Sequence, residues 1–241
     1  MTHLSVNLNK IGLLRNSRGR DFPNMVQIAK QTLEQGVFGI TIHPRPDQRH
    51  ATYQDVRDLK ALLTQYPDRE LNVEGFPSDE FLNIVLETQP HQCTLVPDDP
   101  NQLTSDHGWN LNRDRDALIP VINKLQAAGI RVSLFMDPDP EAIALVKDTG
   151  AERIELYTEA YANAWPTTEK DAVLAQYMEA AQTAVNHGLA VNAGHDLDLD
   201  NVAELCASGL ITEVSIGHAL TVEALQMGWN QAISAYLTRL A

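Results

Sequence analysis

The stretch RVSLFMDPDPEAIALVKDTGAERIELYT (131–158) contains one complete strand–helix–strand unit. It begins with a β-branched and apolar run, passes through Asp and Pro turn residues, and continues with apolar residues at helical spacing. Gly150 then precedes a second apolar run. A glycine at this point suits the left-handed conformation that ends many helices. The order predicts two parallel strands joined by a helix.

The same order recurs along the whole chain. From Asn9, at the end of the first apolar run, to His218, at the end of the eighth, there are 209 residues over seven intervals. That is about 30 residues per unit, the usual length of a strand–helix repeat. The sequence therefore predicts an α/β fold, a single-domain (β/α)8 TIM barrel over residues 1–241. The eight runs are 4–9, 38–44, 70–75, 92–97, 131–137, 153–158, 190–196 and 213–220.

Two connections are longer than a minimal barrel needs. They are residues 97–116, after the fourth strand, and residues 158–171, after the sixth. Both follow the carboxyl ends of strands, where barrels carry their chemistry, so we expect extra helices or long loops that cover the mouth. The first turn, NLNKIGLLRNSRG (7–19), is not the glycine-rich turn of a dinucleotide-binding fold.

The charge of the chain excludes some partners and suggests others. The formal net charge is −14, which argues against nucleic acid and against an anionic membrane surface as partners. Residues 1–50 nevertheless carry seven Lys and Arg against three Asp and Glu. We therefore expect an anionic ligand near the first two units. Cys93 and Cys206 are predicted to be buried thiols, and without a signal or membrane-spanning run we expect a soluble, cytoplasmic protein.

Polar residues at the strand ends are the candidates for chemistry. They are Asn7, Asn9, Lys10, His43, Arg45, Glu74, Thr104 in the region after the fourth strand, Glu155, His195 and His218. Burying several ionisable groups together costs several kcal/mol unless they are paired or used. We therefore predict acid–base roles for His43, Glu74 and His195.

Two anion sites are predicted at this mouth. Arg18, Arg45 and His50 are suited to surround a phosphate, because guanidinium groups bind phosphate oxygens bidentately. Gly217 and His218 follow the eighth strand, where barrels often bind phosphate at a helix N-terminus. Two sites indicate two phosphorylated small-molecule substrates or one bisphosphate. The first strand lacks an H-x-H metal pair and no later strand offers a core lysine, so we expect neither a metal nor a Schiff base.

The eight strand ends resemble those of the pyridoxine 5′-phosphate synthase family, in order and over essentially the whole chain. The matching segments are VNLNKIGLLRNSRG (6–19), GITIHPRPDQRH (39–50), LNVEG (71–75), CTLVP (93–97), VSLFMD (132–137), IELYT (154–158), VNAGHDL (191–197) and IGHAL (216–220). The chain departs from the family at Asn9-Lys10, where Asp-His is common, and at Asp196, where glycine is common.

The resemblance implies an activity and a role for each matched residue. The family joins 1-deoxy-D-xylulose 5-phosphate to 3-amino-2-oxopropyl phosphate, which gives pyridoxine 5′-phosphate, phosphate and water without a cofactor. It also implies a homo-octamer. By the resemblance His43 and Glu74 are proton acceptors, His195 is the proton donor, and Glu155 supports them. The substrate-binding residues it implies are Asn7, Asn9, Lys10, Arg18, Arg45, His50, Thr104, Asp196, Gly217 and His218.

Two other functions remain open from the residues themselves. A different sugar-phosphate barrel, an isomerase or aldolase, could use Glu74 as a base on a single substrate. A catalytically inactive barrel could serve as a binding or assembly module. Turnover of one substrate alone would favour the first alternative. An unchanged biological role after His43→Ala or Glu74→Ala would favour the second.

Overall fold

Eight parallel strands form a closed barrel in the computed structural model, which describes residues 1–98 and 105–241. The strands pair in chain order, and β8 closes the barrel against β1 through pairs such as Ser5 with Ser215. The predicted TIM barrel is confirmed. The strands are β1 (His3–Asn7), β2 (Gly39–Ile42), β3 (Glu70–Gly75), β4 (Gln92–Leu95), β5 (Arg131–Met136), β6 (Arg153–Tyr157), β7 (Ala190–Gly194) and β8 (Ile211–Ile216).

Helices surround the barrel and also extend beyond the minimal repeat. The expected extra helix after β6 is α7, and two helices, α1 after β1 and α10 after β8, are further additions, while α11 completes the eighth unit. The helices are α1 (Asn9–Asn16), α2 (Met25–Glu34), α3 (Tyr53–Leu63), α4 (Asp79–Thr88), α5 (Leu111–Ala127), α6 (Pro140–Ala144), α7 (Glu159–Ala164), α8 (Lys170–Asn186), α9 (Val202–Cys206), α10 (His218–Met227) and α11 (Trp229–Leu240). A 3-10 turn, Val146–Thr149, follows α6.

The interior of the barrel is polar, which is unusual because most such barrels are filled by Val, Ile and Leu. The apolar side chains of the strands are buried in the core cluster, whereas the alternate side chains are polar and bond to one another across strands. Ser5 contacts Thr41 at 2.7 Å between hydroxyl oxygens. At the amino-terminal end Arg153 donates to Asn192 and Glu213, and Arg131 donates to Glu70 and Gln92. The strands therefore bring buried polar groups up to the mouth.

Helix α1 holds the segment that follows β2 in place. The Asn16 side-chain amide donates to the carbonyls of residues 48–50, at 3.1, 3.1 and 2.8 Å. Arg15 forms a two-bond ion pair with Asp55 at the start of α3. A Cβ on Gly12 would lie 2.7 Å from the carbonyl carbon and oxygen of His50. This close approach of two backbones requires glycine at position 12.

Substituting Gly12→Ala is expected to destabilise the fold by about 1–3 kcal/mol, although alanine favours a helix, because the added methyl group meets backbone that cannot move freely. Gly188→Ala is the comparison. Its φ is +78° but a Cβ there meets nothing within 4 Å, so only backbone strain of about 1 kcal/mol is expected. Urea unfolding measures both. A Gly12 variant as stable as wild type would contradict the contact.

Candidate active site

The mouth of the barrel brings together a histidine, two acids and an arginine. His43 follows β2, and its Nδ1 lies 3.9 Å from Glu74 Oε2 on β3. Its Nε2 lies 3.8 Å from Oδ2 of Asp98, which follows β4. The same oxygen accepts a hydrogen bond from Arg45 Nη2 at 2.6 Å. All four side chains are buried, with at most 9% of any residue exposed.

Burial keeps His43 and Glu74 neutral around pH 7. Burial raises the pKa of Glu74 to about 8, and the nearby Asp98 carboxylate adds to that shift. Burial also lowers the pKa of His43 well below its usual value, with further lowering from the positive charge of Arg45. The 3.9 Å contact therefore joins a protonated carboxyl to a neutral imidazole rather than two opposite charges. Both groups can exchange a proton with a bound substrate, as acid–base catalysis requires.

A third buried acid, Glu155, lies close to Glu74. Glu155 on β6 accepts a hydrogen bond from Thr94 at 3.4 Å, and Thr94 also bonds Asn72 at 3.0 Å. Burial raises the pKa of Glu155 well above its usual range, and the neighbouring Glu74 raises it further. Gly194 on β7 makes room for this carboxyl, since a Cβ there would lie 2.4 Å from Glu155 Oε1. Glu155 thus lies where it can influence the charge of Glu74.

Basic side chains lie along one side of the mouth. Lys10 on α1 and residues Arg45, Arg49 and His50 come from the loops after β1 and β2. Burial lowers the pKa of His50 to about 4, and the charges of Lys10 and Arg49 contribute to that lowering. The imidazole is therefore neutral, and its buried Nδ1 has no hydrogen-bond partner within residues 1–98 and 105–241. An anion would be well placed among these groups.

His195, which follows β7, lies next to two aromatic rings. Its ring contacts those of Phe135 and Tyr157 edge-on, with centroid separations of 5.9 and 5.1 Å. His195 and Asp196 both have positive φ, +86° and +55°, a conformation that residues other than glycine adopt at an energetic cost. Thr158 holds this turn, because its hydroxyl lies 2.7 Å from the carbonyl oxygen of Gly194 and 2.5 Å from that of His195.

Comparison with known proteins assigns the family. The family described as pyridoxal phosphate biosynthesis protein PdxJ matches residues 4–241. Pyridoxine 5′-phosphate synthases from Albidiferax ferrireducens and Bacteroides thetaiotaomicron are both 48% identical to this chain. The alignments cover 100% and 98% of this chain and 98% of each relative. The chain belongs to the PdxJ family. The expectation of an enzyme of this kind is confirmed.

Solved structures agree with the barrel but carry no information about activity. Phosphoribosylanthranilate isomerase from Thermotoga maritima superposes with a TM-score of 0.57 at 11% identity, over 100% of this chain and 98% of that one. D-psicose 3-epimerase from Clostridium cellulolyticum gives 0.58 at 13%, also over 100% and 98%. These low identities show a shared fold alone.

Of the other predicted site residues of this PdxJ chain, some are hydrogen-bonded or packed at the mouth of the barrel and others are exposed. The side-chain oxygen of Asn9 accepts a hydrogen bond from the backbone N–H of His43 at 2.9 Å. The side-chain oxygen of Asn7 accepts one from the backbone N–H of Asn9 at 3.0 Å. Gly217 packs against Asn7, because a Cβ on it would lie 3.0 Å from Asn7 Cβ. Exposed side chains are found at Arg18 in the turn after α1, at Asp196, and at His218, the first residue of α10. Thr104 lies outside the described residues.

Asp98 is the site residue that the sequence analysis missed. It is the first acid after β4, so the strand-end rule that selected Glu74 could have selected it too. Thr104, later in the same connection, was predicted instead. Ser105, also missed, donates its hydroxyl to Asp98 at 2.9 Å.

Within residues 1–98 and 105–241, no group of three or more His, Cys, Asp or Glu side chains is arranged to hold a metal ion. No helix there is both long and apolar enough to cross a membrane.

The raised pKa of Glu74 predicts a pH-dependent stability. Between its ordinary value of 4.5 and about 8, the folded chain holds a proton that the unfolded chain has lost, so stability falls as pH rises through this window. Glu74→Gln removes that dependence. We expect its free energy of unfolding, relative to wild type, to gain at least about 1 kcal/mol from pH 5 to pH 8. The exposed Glu179→Gln should show a constant difference. Denaturant titrations at each pH provide the test, and parallel curves for wild type and Glu74→Gln would refute it.

Proposed function

We propose that this PdxJ protein condenses 1-deoxy-D-xylulose 5-phosphate with 3-amino-2-oxopropyl phosphate and closes the pyridine ring of pyridoxine 5′-phosphate. The observation that carries the proposal is the His43–Glu74 pair, held next to a cluster of positive groups at the mouth of the barrel. Membership of the family supplies the substrate class.

The positive side of the mouth is the proposed site of the deoxyxylulose phosphate. Arg45 offers a guanidinium fork and His50 an unpartnered Nδ1, both suited to phosphate oxygens. Lys10 adds charge next to His50. Thr104 and Asn9 complete this set by family resemblance. Phosphate binding here explains why the first 50 residues are basic in an acidic chain.

The second phosphate is assigned to the part of the mouth between the carboxyl ends of β1 and β8. Gly217 packs against Asn7 and directly precedes helix α10, whose free N–H groups favour an anion. By resemblance this site takes the amino-ketone phosphate through Asn7, Arg18, Asp196, Gly217 and His218. Asp196 adopts a positive φ, which aspartate tolerates better than most residues.

Ring closure requires several proton transfers and no redox step. The amine attacks the ketone and water leaves to form an imine. Successive deprotonations then lead to loss of phosphate and an aldol-type closure, and loss of a second water gives the aromatic ring. His43 is neutral and can accept a proton, and Glu74 can accept one once it is ionised. His195 is the proposed proton donor. Glu155 interacts with Glu74 and is proposed to modulate its change of charge.

The aromatic side of the mouth suits the flat intermediates of this reaction. Val96, Phe135 and Tyr157 form a buried apolar cluster apart from the main core. A conjugated imine or pyridine ring can pack against such a surface with little water present, which protects an imine from hydrolysis.

Assembly into a homo-octamer, implied by the family resemblance, is part of the proposal. The apolar residues Ala232, Ile233 and Tyr236 of α11 are buried within the chain itself, so that helix covers the last unit of the barrel. Leu225 on α10 is 79% exposed and is available for subunit contact. Light scattering of the purified protein gives the number of subunits.

The reaction makes a specific prediction for two variants. Phosphate release and pyridinol absorbance should appear only when both substrates are present. Glu74→Gln should lower kcat by about 100-fold or more while binding of inorganic phosphate is retained. Arg45→Ala should instead raise KM for the deoxyxylulose phosphate. Steady-state kinetics separate these effects, and phosphate release from one substrate alone would contradict the proposed reaction.

A base role for Glu74 also predicts a pH profile. Because its pKa is about 8, the ionised fraction grows as pH rises from 7 to 9, so kcat/KM should rise over that range. Glu74→Asp keeps a titratable base, whereas Glu74→Gln should lose the rise. Initial rates at saturating concentrations of one substrate provide the measurement. A wild-type profile that is flat or falls from pH 7 to 9 would exclude Glu74 as the base in the enzyme form that binds the second substrate.

A further inference from the structure

Asp98 is a buried acid that contacts two functional groups at once. Its Oδ2 accepts hydrogen bonds from Arg45 at 2.6 Å and from Ser105 at 2.9 Å, and it faces His43 Nε2 at 3.8 Å. Its Oδ1 is buried without a hydrogen-bond partner in the described parts of the chain. Asp98 is 5% exposed. A carboxylate in this position is costly unless its charge is used.

The two neighbours of the His43 ring have different proton states. Next to Nε2 is Asp98, whose ion pair with Arg45 marks it as a carboxylate that can only accept a hydrogen bond. Next to Nδ1 is Glu74, which holds a proton around pH 7 and can donate one. A neutral imidazole carries one N–H, and the position of that hydrogen is set by the partners on each side.

We propose that Asp98 is a positioning residue that holds His43 in the tautomer with its proton on Nε2, so that the Nδ1 lone pair faces Glu74. With the opposite tautomer, a lone pair on Nε2 would point at the Asp98 carboxylate, and that contact would be repulsive. The carboxyl of Glu74 can donate or accept, so it tolerates either tautomer and the choice falls to Asp98. The catalytic consequence, a base with its lone pair directed to the reacting side, rests on the proposed function.

Arg45 connects this arrangement to the ligand. A phosphate bound to Arg45 would compete with Asp98 for the guanidinium, since both are anions. The Asp98 oxygen would then be released toward the Nε2–H of His43, and the long 3.8 Å contact could shorten into a hydrogen bond. Anion binding at Arg45 would in this way strengthen the orientation of His43.

The test reads the His43 tautomer directly, with no substrate present. Protein labelled with 15N-histidine is studied by solid-state NMR at pH 7.5, and the His43 signals are those lost in His43→Asn. Wild type should show the Nε2–H form. Asp98→Ala should raise the fraction of the Nδ1–H form at least about threefold, whereas the exposed Asp116→Asn control should leave it unchanged. Addition of inorganic phosphate to wild type should not lower the Nε2–H fraction.

Two further measurements separate this role from a purely structural one. Near-UV circular dichroism shows whether Asp98→Ala is folded, and Asp98→Asn, which keeps the shape of the side chain, replaces it if it is not. In the kinetic assay kcat should fall at least about tenfold without a rise in KM. A folded Asp98 variant with the wild-type tautomer would overturn the proposal. If the tautomer shifts as expected but wild type turns over neither substrate, the proposed function fails and the role of Asp98 stands.

Discussion

The burial of acids inside a polar barrel is the constraint on which the site depends. Glu74 and Glu155 are kept from water by strands whose apolar residues face the surrounding helices, while hydrogen bonds such as Thr94 to Glu155 satisfy the interior. An acid in such a place holds its proton near neutral pH, because the ionised form loses the solvation of water. An ordinary barrel core of Val, Ile and Leu would leave no partners for these groups.

The loops around the mouth add charge and orientation to these acids. Helix α1 fixes the segment after β2 through Asn16 and the close approach of Gly12 to His50, so Arg45 and His50 keep a defined position. After β7, His195 lies in a strained turn that Thr158 holds by a hydrogen bond to Gly194. Strain of this kind persists only where surrounding contacts enforce it, and it is common at functional sites.

The strand-end rule predicted much of the site for a physical reason: in a parallel barrel every strand delivers its last residues to the same mouth. It found His43, Glu74 and His195 on that basis. It missed Asp98, because the connection after β4 is long and Thr104, further along it, was predicted instead. The side-chain oxygens of Asn7 and Asn9, two proposed ligand contacts, also bond backbone N–H groups, a role that composition and spacing do not reveal.

The sequence by itself determined the barrel, its eight units and the residues that gather at its mouth, because hydrophobic period, turn glycines and strand order are local properties of the chain. Only the tertiary structure decided which of those residues are neutral, which are paired and which face each other. Proton affinity depends on burial and on neighbours from distant strands. The position of Asp98, 3.8 Å from His43 and 2.6 Å from Arg45, is of this kind, since the segments after β2 and β4 must fold together before the acid has a partner.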